Sequence, residues 1–378
     1  MTNIQLKNIA INCDWPSWTK DYISHVADNM FKLEKYIGKS KNVVVPAKVK
    51  IDGAAFQVEI GEGVFANNNL IQSVSFETGV QAGQSLANLF KGCKHLAAVN
   101  CDGLNTEHVT DMSFMFYGCL SLTTLNVSHL NTSNVIDMSG MFSRCSALLS
   151  LDLSHFDTAQ VKRMGIDKYR GYGGMFSGCT HLTSIDLSGF NTEHVTDMTN
   201  MFAQCLMLTS LDVSAFSTAH VISMKAMFRN TGITSLNLIH WETHHVQNMK
   251  EMFFGCYQLT TLNLSNFDTR NVTDMSGMFG ECGRLKSLDL SRFNTKRVKD
   301  MSRMFRGCSS LISLDLSNFN ITNVTNIREM FVHCFYIESI DLSNFLTVKN
   351  AKEILFRCFK RRALHIPDIM VWQVFLAS

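Results

Sequence analysis

Cysteine is the residue type whose spacing first suggests chemistry, because thiols form disulfides and bind metal ions. The chain of 378 residues has twelve cysteines, and ten of them recur at nearly constant intervals. Most steps are 26 residues, as from Cys119 to Cys145, and the step from Cys145 to Cys179 is 34 residues. The column consists of Cys93, Cys119, Cys145, Cys179, Cys205, Cys256, Cys282, Cys308, Cys334 and Cys358, with Asn230 in the one gap.

Neither disulfide nor metal chemistry fits this column of thiols. With one cysteine on each stacked helical element, neighbours lie about 8–10 Å apart, whereas a disulfide requires Cα atoms within about 7 Å. The sequence has no CxxC pair, and no histidine lies near a cysteine at regular ligand spacing. We therefore predict buried, unpaired thiols that behave as small hydrophobic side chains, and no metal ion or other cofactor.

A second column of acidic and amide side chains suggests cation binding. In a parallel stack these residues lie about 4.8 Å apart, and adjacent carboxylates repel each other and acquire raised pKa values unless something offsets the repulsion. Nearby serine and threonine hydroxyls can donate hydrogen bonds, so the sequence favours a hydrogen-bonded ladder; cation binding along Asp152, Asp186 and Asp212 is the alternative. The column reads Asn126, Asp152, Asp186, Asp212, Asn237, Asn263, Asp289, Asp315 and Asp341.

Histidines are a third candidate set of metal ligands. His108, His194, His220, His244 and His245 fall at variable positions just before a column of valines. Other repeats place Asn, Gln or Arg there, which is typical of a solvated position. We therefore disfavour a metal site, although stacking would bring His220 and His245 together.

Basic residues accumulate in one part of the chain. Between Glu281 and Arg306, eight arginines and lysines oppose three acidic residues, a local excess of five positive charges. The sequence favours plain solubility for this positive patch, with binding of an acidic protein or a glycan as the alternative; nucleic acid is disfavoured because no exposed aromatic residues are interleaved. The candidate binding residues in it are Arg292, Lys296, Arg297 and Lys299.

An insertion interrupts the repeat between Met164 and Met175. An insertion in a repeat protein is expected to form an outward loop. Tyr169, Arg170 and Tyr172 lie in a glycine-rich segment, a composition found in contact loops. A tolerated surface bulge is the favoured interpretation, and a contact loop is the alternative for which we include these three residues among the binding candidates.

Motifs of known enzymes are absent from the sequence. It contains no GxSxG, no Walker loop, no GxGxxG before a helix and no HExxH. Asp, Ser and His occur together on many repeats, whereas an active site requires one special place. We therefore predict that the protein is not an enzyme, and the absence of any run of 18 apolar residues argues against a transmembrane segment.

The elements that must position these columns are short and repeated. In the segment from Leu122 to Leu148, the first residues alternate as a strand, and Met138, Met141 and Phe142 follow at helical spacing. Such repeats stack, each touching only its neighbours. We predict a leucine-rich-repeat-like solenoid: a parallel β-sheet with one short strand per repeat, termed a rung, and short helices or helical turns on the other side.

Four regions follow from this pattern. Residues 1–40 do not repeat, and we predict an amphipathic helix there, serving either as a cap or as a docking helix. Residues 41–85 form irregular N-terminal leucine-rich rungs, residues 86–359 form the regular 26-residue solenoid, and residues 360–378 form a C-terminal cap. The predicted helix rests on the spacing of Trp18, Tyr22, Val26, Met30, Leu33 and Ile37.

Two stretches resemble a known family. The run VVVPAKVKIDGAAFQVEIGEGVFANN and the pattern LDLSNF…TNVT…MF…C, as in Leu314 to Cys334, resemble BspA-like leucine-rich-repeat surface proteins with mycoplasma-lipoprotein-type repeats of 25–26 residues. The resemblance implies adhesion or protein binding at a bacterial surface. The chain has no signal peptide, lipobox cysteine or wall-anchor tail, so a cell-surface or secreted location, cytoplasmic location and non-Sec export all stay open.

Together these observations predict a non-enzymatic, adhesin-like scaffold that binds a protein or a glycan. The alternative is an exported or host-directed effector whose solenoid binds a target protein. Unpaired end rungs would also allow oligomers to form.

Overall fold

The computed structural model describes residues 16–167, 171–342, 345 and 364–365. The chain divides into two compact units. Unit 1 comprises Met1–Val161 and Gly178–Phe190, and unit 2 comprises Lys162–Ser177 and Asn191–Ser378. No helix in the described part of the chain is long and apolar enough to cross a membrane.

The described part of unit 1 has a β-hairpin at Tyr22–Tyr36, so the amphipathic helix predicted from the spacing of Trp18 to Ile37 is wrong. A 3-10 turn at Ser17–Asp21 leads into β1 (Tyr22–Ala27), which pairs antiparallel with β2 (Met30–Tyr36). Asp28 and Asn29 have φ values of 53° and 61° and form the hairpin turn. Buried and more exposed side chains alternate along β2, so that one face of the strand packs on the core. The same apolar residues also fit the spacing of a helix, which is why the sequence predicted one.

Two sheets follow in unit 1. Their strands are β3 (Asn42–Val45), β4 (Lys48–Ile51), β5 (Ala54–Ile60), β6 (Ser73–Phe76), β7 (Val80–Ala82), β8 (Ala98–Asn100) and β9 (Leu104–Asn105). One sheet has the order β1-β2-β5-β7-β9 with β4 beside β5, and the other has the order β3-β6-β8. All pairs are parallel except β1 with β2 and β4 with β5.

The regular rungs contribute very short parallel strands, as predicted. In unit 1, β10 (Ser150–Asp152) pairs with β11 (Ser184–Asp186). In unit 2, β12 (Ser313–Leu314) pairs with β13 (Ser339–Asp341). The same parallel sheet includes β14 (Leu364–His365), which lies in the region predicted as a C-terminal cap; the rest of residues 360–378 lies outside the described residues. A second series of parallel bridges joins the next segment of each rung, as from Asp274 to Asp300.

The remainder of each rung forms consecutive turns, so the predicted short helices are not confirmed. Left-handed residues recur in pairs four positions apart, such as Gly277 (φ 64°) with Glu281 (φ 59°). Because left-handed residues interrupt a helix, alternate amides point to the next rung: the Gly277 amide donates to Ser302 O at 2.8 Å and that of Phe279 to Met304 O at 2.9 Å. No α-helix occurs among the described residues.

The core consists of columns of Met, Phe and Cys side chains. In unit 1 the rings of Phe65, Phe90 and Phe116 stack with centroids 5.4 Å apart, and in unit 2 a similar stack continues from Phe176 to Phe331. The ten described cysteines are buried, as predicted, and none of them forms a disulfide. Nine of the thiols, all except that of Cys101, donate to phenylalanine carbonyls of the preceding rung, as from Cys282 to Phe253 O at 3.1 Å.

Thr231, rather than Asn230, fills the gap in the cysteine column. The Thr231 hydroxyl donates to Phe228 O at 2.9 Å and lies 3.4 Å from the sulfur of Cys256. Asn230 has a φ of 54° and occupies the left-handed position that precedes each cysteine. The rung is one residue shorter here, which shifted the prediction by one position.

Candidate binding surface

The binding candidates from the insertion are only partly described. Tyr169 and Arg170 lie outside the described residues, and Tyr172 is half-buried. The insertion closes on itself where the Met175 amide donates to Met164 O at 2.8 Å. It is also tied to a later rung, because Lys225 Nζ lies 2.6 Å from Asp167 Oδ2. A binding role for this loop stays a prediction.

The other four candidates lie together on one rung of unit 2 and are all exposed. We name Arg292, Lys296, Arg297 and Lys299 the basic edge. The exposed cations flank the buried side chains of Phe293, Thr295 and Val298, which hold this part of the rung against the core.

Hydrogen bonds fix the backbone of the basic edge. The Thr295 hydroxyl donates to Asn320 O at 2.9 Å and accepts from the Asn320 amide at 2.7 Å. The Asn294 side-chain oxygen accepts from the Lys296 amide at 3.1 Å. The Lys299 amide donates to Thr273 O at 2.8 Å. The four cations are therefore presented from an ordered support.

Among the described residues the basic edge forms no close ion pairs, and its one resolved electrostatic contact with an acidic side chain is a minor effect of Arg292 on the pKa of Asp289. Within the part of the chain that the structure describes, none of the four residues forms an ion pair within 4.0 Å. Arg297 Nη1 donates instead to the neutral Asn271 Oδ1 at 2.8 Å. In the same columns of the following rung the residues are neutral: Asn318, Thr322, Asn323 and Thr325.

A neighbouring groove of unit 2 shows the opposite arrangement. It has a volume of about 410 Å³ and carries several arginines, but these are paired. Arg306 contacts Glu281 at 3.3 Å and also Glu329, while Arg303 lies 3.0 Å from Glu329. Burial alone would raise the pKa of Glu329, but Arg303 and Arg306 lower it. This groove holds its rungs together through its own ion pairs.

A further cavity of unit 2 was not foreseen from the sequence. Its volume is about 580 Å³, and its lining includes Trp241 together with His244, Asp268 and Arg270. We name it the Trp241 cavity. The sequence feature that could have indicated this cavity is a tryptophan in a column that other rungs fill with phenylalanine. Its polar lining comes from two rungs that only the fold brings together.

Two of the histidines predicted as disfavoured metal ligands, His220 and His245, are hydrogen-bonded to the backbone. Rings of His220 and His245 stack with centroids 6.5 Å apart. Their Nδ1 atoms lie 2.9 Å from Glu193 O and 2.7 Å from Ala219 O, which orients both rings. The described residues contain no group of three side chains suited to hold a metal ion.

The aspartate column is also hydrogen-bonded, within rungs rather than between them. Asp152 Oδ1 accepts from the Ser154 amide at 3.0 Å and from its hydroxyl at 2.7 Å, and Asp212 repeats this with Ser214. The Asp186 carboxylate accepts from the Ser188 amide at 2.9 Å. Cation binding by this column stays untested.

Comparison with known proteins identifies the repeat. The family described as "Mycoplasma protein of unknown function, DUF285" matches residues 84–166, 171–262 and 254–363. The chain belongs to this DUF285 family. The predicted resemblance to BspA-like leucine-rich repeats is confirmed as well. No curated protein matches the DUF285 chain.

One solved structure confirms the leucine-rich-repeat fold. A leucine rich cell surface protein from Faecalibacterium prausnitzii A2-165 is 17% identical, with a TM-score of 0.52 over 94% of this chain and 96% of that chain. A leucine-rich repeat protein from Bacteroides ovatus is 16% identical, with a TM-score of 0.43 over 88% of this chain and 97% of that one. At these identities the similarity concerns the fold alone.

Proposed function

We propose that this DUF285 chain is a non-enzymatic binding scaffold whose basic edge holds an acidic protein or glycan partner. One observation carries the proposal: four exposed cations lie on one ordered rung, and none of them forms an ion pair within 4.0 Å among the described residues. Cations that form no close ion pair attract an anionic partner. Because their backbone is already ordered, little conformational freedom is lost when such a partner binds.

The ionisation of the buried thiols supports a non-enzymatic role. A catalytic cysteine requires a lowered pKa and an accessible sulfur. Burial instead raises the pKa of Cys179 to about 12 and that of Cys308 to about 12. Their thiols donate to backbone carbonyls inside the core, so these cysteines stabilise the stack of rungs.

The test replaces the basic edge with the residues of the following rung. The variant carries Arg292→Asn, Lys296→Thr, Arg297→Asn and Lys299→Thr, all of which the repeat already accommodates at Asn318, Thr322, Asn323 and Thr325. Binding of a short heparin oligosaccharide and of an oligoglutamate peptide is measured by calorimetry. We expect the intact chain to bind at least one probe and the variant to bind it at least tenfold more weakly.

A matched control separates the site from overall charge. Four exposed residues of unit 1 serve as the control: Lys39, Lys41, Lys48 and Lys50. Changing all four to threonine removes the same number of positive charges as the basic-edge variant does. We expect this control to bind like the intact chain, and all binding to weaken as salt rises from 0.05 to 0.5 M. Equal losses in both variants, or no binding by the intact chain, would refute the proposal.

A further inference from the structure

One rung of unit 2 departs from the others beside the Trp241 cavity. Trp241 occupies the corner that Phe216, Phe267 and Phe293 fill in other rungs, and it is buried, with 1% of its surface exposed. Its Nε1 donates to Val213 O at 3.2 Å. The indole is thus fixed inside the rung and supports the polar residues on either side of it.

The lining of the Trp241 cavity mixes hydrogen-bond donors and acceptors. Glu242 and Asp268 supply carboxylates, while His240, His244 and Arg270 supply ring nitrogens and a guanidinium. Arg270 Nη2 lies 2.6 Å from Asp268 Oδ2, and His244 Nδ1 lies 3.8 Å from Glu242 Oε2. The lining therefore carries both signs of charge and is not a simple anion site.

Asn266 adds an amide oxygen to this lining. Its Nδ2 donates to Ile239 O, and its Oδ1 has no hydrogen-bond partner among the described residues. A ligand that carries several hydroxyl groups suits such a surface, because each hydroxyl both donates and accepts hydrogen bonds. An anion without hydroxyls would gain from Arg270 but would be repelled by Glu242 and Asp268.

The Trp241 cavity continues into the basic edge. His244, Arg270 and Lys296 occupy the same column of three successive rungs, which lie about 4.8 Å apart in parallel pairing. Arg297 reaches back toward the cavity through its 2.8 Å hydrogen bond to Asn271. A linear molecule lying across these rungs would meet the mixed polar lining first and the unpaired cations next.

We propose that unit 2 binds an anionic oligosaccharide, with sugar hydroxyls in the Trp241 cavity and carboxylate or sulfate groups on the basic edge. This inference rests on the proposed function and narrows its partner from any acidic molecule to a glycan. An acidic peptide has carboxylates for the basic edge but would place further negative charge beside Glu242 and Asp268.

The test uses the full chain and a cavity variant, His240→Ala with Asn266→Ala. Alanine is already present in this column at Ala215, so the rung is expected to fold, which a thermal melt checks. Affinities for a heparin oligosaccharide and for oligoglutamate are measured side by side. We expect the variant to bind the oligosaccharide at least fivefold more weakly and the peptide within twofold of the intact chain.

The outcomes separate the two proposals. If the cavity variant binds the oligosaccharide normally, or loses both probes equally, the glycan inference fails while the basic edge can still be the binding surface. If the basic-edge variant described above binds both probes normally, the proposed function itself fails. Tighter binding of an oligonucleotide than of either probe would also contradict the glycan assignment.

Discussion

The aspartate that ends each short strand shows how a single residue serves the repeat. The Ser291 hydroxyl and amide, with a smaller contribution from Arg292, lower the pKa of Asp289, and Ser154 lowers the pKa of Asp152 in the same way. Repulsion between stacked carboxylates predicted the opposite shift. The hydrogen bonds from serine determine the direction of the shift because the amide and the hydroxyl both donate to the carboxylate. Repulsion between neighbouring carboxylates is weaker because these side chains are exposed to water.

This shift predicts how acid affects stability. A carboxylate whose pKa is lower in the folded state stabilises the fold above its unfolded pKa of about 3.9, and this contribution is lost as pH falls through the folded pKa. We expect a variant with asparagine at Asp152, Asp212, Asp289 and Asp315 to lose less thermal stability between pH 7 and pH 3. Melting followed by circular dichroism measures this difference.

Asparagine is a suitable replacement because Asn263 occupies this position in another rung and its Oδ1 accepts from the Ser265 amide at 3.0 Å. A second variant, with alanine at Ser154, Ser214, Ser291 and Ser317, keeps the carboxylates but removes the hydroxyl donors. Between pH 7 and pH 3 its melting temperature should fall by less than that of the intact chain and by more than that of the asparagine variant. Identical acid profiles for all three proteins would contradict this account of the aspartate column.

At the scale of elements, periodicity predicted the parallel strands but not the turns. Met138, Met141 and Phe142 lie on one face of either a helix or a succession of turns, so their spacing does not distinguish the two. The deciding feature is the pair of left-handed residues in each rung. Several of these are not glycine, such as Phe114 (φ 57°) and Gln204 (φ 63°), and they carry no recognisable signal in the sequence.

The left-handed positions predict opposite effects of two substitutions. Gly118 has a φ of 74°, and Gly118→Ala should lower the free energy of unfolding by about 1 kcal/mol, because a Cβ disfavours this conformation. Gln204→Gly removes the same kind of strain and should raise the free energy of unfolding by about 0.5–1 kcal/mol. Urea unfolding of both variants measures the changes, and the same sign for both would contradict the assignment of these turns.

The candidate site was predictable to different degrees in its two parts. The basic edge lies within one rung, so its charges are visible in the sequence, and the structure adds that none of them forms an ion pair within 4.0 Å among the described residues. The Trp241 cavity combines His240 and His244 with Asn266 and Asp268, which belong to different rungs. Only the stacking of those rungs brings these side chains together beside Trp241.

For the whole molecule, a stack of rungs requires a cover at its end because each apolar face needs a neighbour. In unit 1 the β1–β2 hairpin lies at the edge of a sheet, where β2 pairs in parallel with β5. Tyr36 and Tyr22 contact the ring of Phe65, the start of the phenylalanine stack, at centroid distances of 5.6 and 6.3 Å. The hairpin therefore acts on the rungs through both hydrogen bonds and aromatic packing.

Removal of this hairpin is expected to destabilise unit 1 without abolishing binding by unit 2. Deleting residues 1–38 exposes the β5 edge and the Phe65 ring, so we expect a lower melting temperature than for deletion of residues 1–15 alone. Phe31→Ala, at a side chain with 0% exposure, should by itself lower the free energy of unfolding by about 3–5 kcal/mol.

Because the basic edge belongs to unit 2, both deletion proteins should retain their affinity for the probes at a temperature where both stay folded. Unchanged melting after loss of the hairpin would show that it does not cover the rungs, and loss of binding would place part of the binding surface in residues 1–38.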